Sequence, residues 1–231
     1  LALQKLLCCL VLFSLAACSS ILSQTQTHQN NGPIKVHGHR GARAKRPENS
    51  LPAFKYALKV GVDVLEMDAV VTADNRVIIA HDLHVNWELC DGPDALKKRE
   101  HLPFRSLTLK QVKSLRCGLQ QHPRFSQQKV PSGGVTIPTL REVLTLVQKS
   151  QVEKVHFNIE TKGVPSKPQL TPSPEKFVQL IYDDVASFGF EERLILQSFD
   201  YRTLKAMKKL DPRVQTAQLT YANFLDYPEL L

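Results

Sequence analysis

With 231 residues, 42% of them hydrophobic, the chain is long enough for one large domain and too apolar for wholesale disorder. Its 30 Lys and Arg against 22 Asp and Glu give a formal net charge of +8. These cations are scattered and do not alternate with aromatics, which argues against nucleic-acid binding and leaves room for electrostatic steering of an anionic substrate.

Residues 1–18, LALQKLLCCLVLFSLAAC, combine one lysine, an apolar run from Leu6 to Leu15 and a small-residue end. That is signal-peptide architecture, too short for an ordinary membrane span. The end Leu15-Ala16-Ala17-Cys18 resembles the lipobox of bacterial lipoproteins, in preference to an ordinary cleavage site. Cys18 is therefore expected to be the lipidated mature N-terminus, anchoring the protein to a membrane in the bacterial periplasm. Residues 19–33 are polar and patternless and serve as a linker. Cys8 and Cys9 leave with the signal. Cys90 and Cys117 remain, to form either a disulfide or two buried thiols, and no spacing suggests a zinc site.

From residue 34 onward strands alternate with helices. A first strand is expected over Ile34–His39. Ser50 caps a helix with Leu51, Phe54, Ala57 and Leu58 on one face, stopped by Gly61. A second strand covers Val62–Val71. Side chains alternate across a strand, so Glu66 and Asp68 share one face and Leu65, Met67, Ala69 and Val71 the other. A turn at Asp74-Asn75 leads to a third strand, Arg76–His81. Residues 83–134, rich in Pro, Gly, Gln and charge, read as an insertion with one helix, capped by Thr108-x-x-Gln111. A second capping box, Thr139-x-x-Glu142, opens a helix with Leu140, Val143, Leu144 and Val147 on one face. Then follow a strand at Val155–Glu160, a helix from Ser173-Pro174-Glu175 to Gly189, a strand at Leu194–Phe199, a helix at Tyr201–Leu210 and a strand at Val214–Leu219. About six strands alternating with helices mean an α/β fold with a mostly parallel sheet. Polar groups at the C-terminal ends of several strands are what a (β/α)₈ barrel uses for its active site.

Glu66, Asp68 and Glu160 offer three carboxylates from two strands, a donor set for Mg²⁺ or Ca²⁺. Glu-x-Asp alone is usually a solvated strand face. Here the pair lies in an otherwise apolar strand, where burial without a cation or a proton is expensive. His39 and His81 each follow an apolar strand, and a histidine pair provides a general base and a general acid near neutral pH. Arg40 presents a bidentate fork to phosphate and Lys162 a point charge, unless both are held in ion pairs by the same carboxylates.

The motifs His39-Arg40-Gly41-Ala42-Arg43, Pro47-Glu48-Asn49-Ser50, Glu66-Met67-Asp68, Thr72-x-Asp74, His81-Asp82, Ile137-Pro138-Thr139-Leu140, Asn158-Ile159-Glu160-x-Lys162 and Gln197-Ser198-Phe199-Asp200 occur in this order. Together they resemble the glycerophosphodiester phosphodiesterase family over about residues 36–200. The resemblance implies a TIM barrel of the phospholipase C-like phosphodiesterase type with a small insertion. It implies metal-dependent hydrolysis of small-molecule glycerophosphodiesters to sn-glycerol 3-phosphate and an alcohol, in glycerophospholipid catabolism. By position His39 and His81 take the acid and base roles, and Glu66, Asp68 and Glu160 the metal, Ca²⁺ or Mg²⁺. Arg40 and Lys162 take the phosphate, and Glu48 orients Arg40 or a ligand. Ser50 stands where the family most often has Thr. The 214 residues from Cys18 fall short of the about 250 of a bare TIM barrel. The last one or two β/α units are thus expected to be missing, and residues 1–231 alone to be unstable and poorly active. Two competing readings are a related barrel phospholipase acting on intact lipids and an inactive truncated lipoprotein.

Overall fold

The computed structural model describes residues 34–220; the expected signal, Cys18 and the linker lie outside them. The order begins with strand β1 (His37–Gly38), helix α1 (Leu51–Val60), and strands β2 (Val64–Val71) and β3 (Val77–Ile79). The insertion contributes β4 (Cys90–Asp91), α2 (Asp94–Lys97), α3 (Leu109–Lys113) and β5 (Arg116–Cys117). Helix α4 (Leu140–Ser150), β6 (His156–Thr161), α5 (Pro174–Ala186), β7 (Leu194–Ser198), α6 (Tyr201–Leu210) and β8 (Gln215–Gln218) follow.

Strands β1, β2, β6, β7 and β8 lie side by side in that order, all parallel. Each strand thus pairs with the next parallel strand in the chain, the singly wound order of a (β/α) barrel. Five parallel strands fall within the described residues. β3 pairs antiparallel with β2, Ala69 opposite Ile79. The reason is the link: a tight turn from Thr72 to Arg76 suffices for an antiparallel pair, whereas a parallel one needs a crossover of a dozen residues or more. The expected first strand shortens to two residues, because the chain folds back after Gly38. The Gly41 N–H donates to Gly38 O (3.0 Å) and Glu66 O (3.1 Å). Gly41 has φ +77, and a Cβ there would lie 2.8 Å from the Ala53 backbone, so only glycine makes this turn.

The helices form where their caps predict. Both capping boxes are closed in both directions, Thr108 with Gln111 and Thr139 with Glu142. Ser50 and Ser173 accept backbone N–H groups at the starts of α1 and α5, each followed by a proline in the first turn. The amphipathic helices cover one face of the sheet. There Leu65, Met67, Phe157, Ile159 and Leu196 pack against Phe54, Leu140, Leu144, Phe177, Ile181 and Leu204. The opposite face carries Glu66, Asp68, Asn158, Glu160 and Gln197, set by the registers Glu66↔Asn158, Asp68↔Glu160 and Glu160↔Gln197.

The insertion builds a second apolar cluster, with Val85, Leu102, Phe104, Val112 and Leu115 closing over Val70 and Ile78. Its two-stranded sheet of β4 and β5 is too short to show as periodicity in the sequence. Of the two states open to the cysteines, the disulfide is the one observed: Cys90 and Cys117 sit opposite each other on β4 and β5 and are bonded. The bridge closes a loop with a sequence separation of 27. Its reduction is expected to lower stability by about 3 kcal/mol and to open residues 83–134 to protease. Urea unfolding and limited proteolysis with and without reductant check this; identical curves would show that the insertion does not depend on the bridge.

Candidate active site

Parallel pairing brings the three carboxylates together. One ligand atom from each of Glu66, Asp68 and Glu160 can be chosen so that all lie within 4.8 Å of one another, and all three residues are buried. Asp68 is 1% exposed, which excludes a solvated strand face. In this tight group burial, and then the charge of Asp68, pushes the Glu66 carboxyl up to about 8. Burial also pushes Glu160 up, beyond what Lys162 offsets. For Asp68 burial acts the same way, but the Lys162 charge, a hydrogen bond from Asn49 and the Arg40 charge outweigh it and hold its carboxyl below the usual range.

Lys162 Nζ bridges two of the acids, 2.6 Å from Glu160 Oε1 and 2.9 Å from Asp68 Oδ1. Arg40 enters from the β1–α1 loop. Its backbone N–H donates to Glu66 Oε2 (2.7 Å), its Nη1 donates to Glu48 Oε1 (2.8 Å), and its Nε lies 3.1 Å from Asp68 Oδ2. That Nε is buried and makes no hydrogen bond within the protein. Both cations are thus engaged by carboxylates, the alternative the sequence left open, and Glu48 holds the Arg40 fork. Arg40 (φ 50) and Asn49 (φ 53) both adopt left-handed backbone, locally costly for residues with a Cβ and concentrated here at the cluster.

Three further polar residues, to which no role fell from sequence, complete the cluster. Asn49 Nδ2 donates to Asp68 Oδ2 (2.8 Å), Gln197 Nε2 to Glu66 Oε1 (3.1 Å), and Asn158 Nδ2 to Gln197 Oε1 (2.9 Å). Asn158 Oδ1 remains buried without a partner within the protein. The signal was present, because all three lie in the quoted motifs on the strand face or loop that carries the acids.

The histidines occupy different surroundings. His39 is half-exposed, with Nε2 3.8 Å from Glu66 Oε2. Partial burial, then the charges of Arg40 and Arg43, keep its imidazole below the ordinary histidine value, so it is neutral at pH 7. His81 Nδ1 lies 2.8 Å from Asp82 Oδ1. A carboxylate accepts, so Nδ1 carries the proton and Nε2 is left for chemistry. This hydrogen bond is the first cause holding Asp82 below the carboxylate range.

Three buried carboxylates facing one lysine and a shared arginine, one acid kept protonated by burial and by the Asp68 charge, make a donor set fitting a hard divalent cation. The proton on Glu66 gives a test. Between 4.5 and 8 the folded protein keeps a proton that the unfolded chain has released. Metal-free stability therefore falls as pH rises through that window and levels off above it. A cation displaces this proton. Adding Ca²⁺ in weak buffer is expected to release about one proton at about pH 7 and almost none at about pH 9. Indicator-dye titration checks it; no release at the lower pH would contradict it.

A family model described as the glycerophosphoryl diester phosphodiesterase family matches residues 39–226. A protein of Caldanaerobacter subterraneus subsp. tengcongensis named glycerophosphodiester phosphodiesterase is 31% identical over 185 residues, covering 80% of this chain and 65% of its own length. One of Bacillus altitudinis with the same name is 30% identical over 186 residues, covering 80% and 66%. The chain spans about two thirds of the length of these relatives. A phosphodiesterase of Oleispira antarctica, solved with the product sn-glycerol-3-phosphate, superposes with a TM-score of 0.65 at 21% identity, covering 85% of this chain and 70% of that one. That likeness bears on the fold, a TIM barrel, in agreement with the singly wound sheet. On the strength of the match over residues 39–226, the chain belongs to the glycerophosphoryl diester phosphodiesterase family.

Proposed function

We propose that the protein hydrolyses glycerophosphodiesters to sn-glycerol 3-phosphate and an alcohol, with Glu66, Asp68 and Glu160 holding Ca²⁺ or Mg²⁺. The observation that carries this reading is the buried carboxylate triad flanked by Arg40 and Lys162. The family match and the product bound to the Oleispira relative support it. A cation bound there supplies charge neutralisation for the phosphate oxygens.

The remaining work belongs to side chains. Arg40 and Lys162 turn from the carboxylates to the phosphate, and Glu48 keeps the Arg40 fork in plane. Neutral His39 takes the proton of the attacking oxygen as that oxygen bonds to phosphorus; in the step that forms glycerol 3-phosphate this oxygen is water's. His81 acts as the acid with both ring nitrogens protonated: Nδ1–H stays on Asp82, and the Nε2 proton goes to the departing alcohol oxygen as the old P–O bond breaks. The enzyme acts in the bacterial periplasm, tethered through lipidated Cys18. The Cys90–Cys117 disulfide supports an oxidising compartment.

The test offers the protein glycerophosphoethanolamine and, separately, intact and lyso phospholipids. Release of glycerol 3-phosphate from the water-soluble diester is expected, with intact lipids left uncut. Cleavage of lipids alone would transfer the site to phospholipase chemistry.

A further inference from the structure

A cavity of about 90 Å³ opens beside His81, between the end of β3 and the insertion. Glu48 and Asn49 of the β1–α1 loop form one wall. Leu89, Val135 and the Cys90–Cys117 disulfide belong to a second wall, built by the insertion and the residue that follows it. The two walls are tied together: Gln128 Nε2 donates to the backbone oxygens of Arg43 (2.7 Å) and Arg46 (3.1 Å), and the Lys129 N–H to Lys45 O (3.0 Å). With the insertion stapled by the disulfide and latched to the loop, the chamber has a fixed width.

Its chemistry differs from that of the carboxylate cluster. No lysine or arginine lines it, whereas Arg40 and Lys162 both lie against the triad. The side chains there that can carry charge are the carboxylates Glu48 and Asp82 and the imidazoles His81, His84 and His122; two carboxylates and no permanent cation make it a poor place for phosphate and a good one for a substituent that carries no second anion. It adjoins the histidine that donates to the departing oxygen.

We infer that this cavity is the subsite of the leaving alcohol and that the disulfide-held wall at Leu89 and Val135 selects small alcohols lacking a second anionic group. The inference rests on the function proposed above. When the P–O bond to the alcohol breaks, its electron pair stays on the alcohol oxygen and the His81 proton joins it, so the alcohol has to lie against His81. One water needs about 15 Å³ by the same measure, so the 90 Å³ inside the cavity takes an ethanolamine or glycerol unit whole, whereas an inositol ring has to stand partly outside its open mouth, against the wall at Leu89 and Val135.

The experiment compares kcat/KM for the ethanolamine and inositol diesters of glycerol 3-phosphate in wild type, Leu89→Ala and Val135→Phe. Wild type favours ethanolamine. Leu89→Ala, which widens the chamber, raises the inositol-to-ethanolamine ratio about tenfold, and Val135→Phe, which narrows it, lowers the ratio about tenfold. The substitutions act in opposite senses, so either folded variant decides the point, with folding checked by thermal melting. A ratio unchanged in a folded variant while wild type remains active overturns the inference alone. A wild type that releases glycerol 3-phosphate from neither diester overturns the proposed function and this inference with it.

Discussion

Glu66→Gln is expected to leave the metal-free protein as stable as wild type at neutral pH and to lower kcat/KM about 10³-fold. The two halves of this result have one cause. Without a cation Glu66 is protonated, with its carboxyl pushed up to about 8, so the neutral amide replaces a neutral acid of the same shape. The carbonyl oxygen of Gln can still accept the Arg40 N–H, as Glu66 Oε2 does at 2.7 Å, and its NH2 is accommodated when the Gln197 and Asn158 amides turn over, Gln197 then accepting from it and donating to the now unpartnered Asn158 Oδ1. The amide cannot become the anion that a cation requires. Asp68→Asn is expected to behave differently. Asp68 is ionised and neutralises Lys162 and Arg40 from a position 1% exposed, so its loss strands buried cations. That costs about 3 kcal/mol or more of stability in addition to the activity. Thermal melts in EDTA beside initial rates with Ca²⁺ separate the two variants. Equal destabilisation by both would show that Glu66 is ionised in the metal-free protein.

His39→Ala and His81→Ala are each expected to lower activity by about 10² to 10⁴, and to respond in opposite ways to the leaving group. A diester whose leaving group is a phenol made acidic by a nitro group departs without a proton. It should restore most of the rate to His81→Ala and none to His39→Ala. The structure supplies the asymmetry. His39 is held neutral by burial, Arg40 and Arg43, as suits a base. His81 is oriented through Nδ1 by Asp82, which leaves Nε2 outside that bond, and its side chain lines the cavity. Rescue of His39→Ala instead would exchange the two roles. Asp82→Asn keeps the hydrogen-bonding shape but can favour the wrong tautomer. It should therefore lower the rate with the alkyl diester more than with the nitrophenyl one.

Local pattern carried most of the architecture. Alternation along Val64–Val71 placed Glu66 and Asp68 on one face, and two capping boxes and two serine–proline starts located the helices. The sequence could not show register. That Glu160 meets Asp68, and Asn158 meets Glu66, depends on how β6 slides along β2, which no local pattern states. The partners of Asn49 and Gln197 were hidden for the same reason, since they lie 19 and 131 residues from the acids they support. β3 is the antiparallel member of a sheet expected to be mostly parallel, its pairing dictated by the short turn at Asp74-Asn75. Between disulfide and free thiols at Cys90 and Cys117 the sequence was neutral; the choice follows from two strands of two residues each.

The central claim is that the buried triad holds the cation on which diester cleavage depends. Phosphorus NMR of glycerophosphoethanolamine mixed with EDTA-stripped protein tests it most directly. The diester signal should persist until Ca²⁺ or Mg²⁺ is added and then give way to that of glycerol 3-phosphate, and with Glu66→Gln it should persist throughout. Conversion at the same rate in EDTA, or undiminished in Glu66→Gln, would contradict the account.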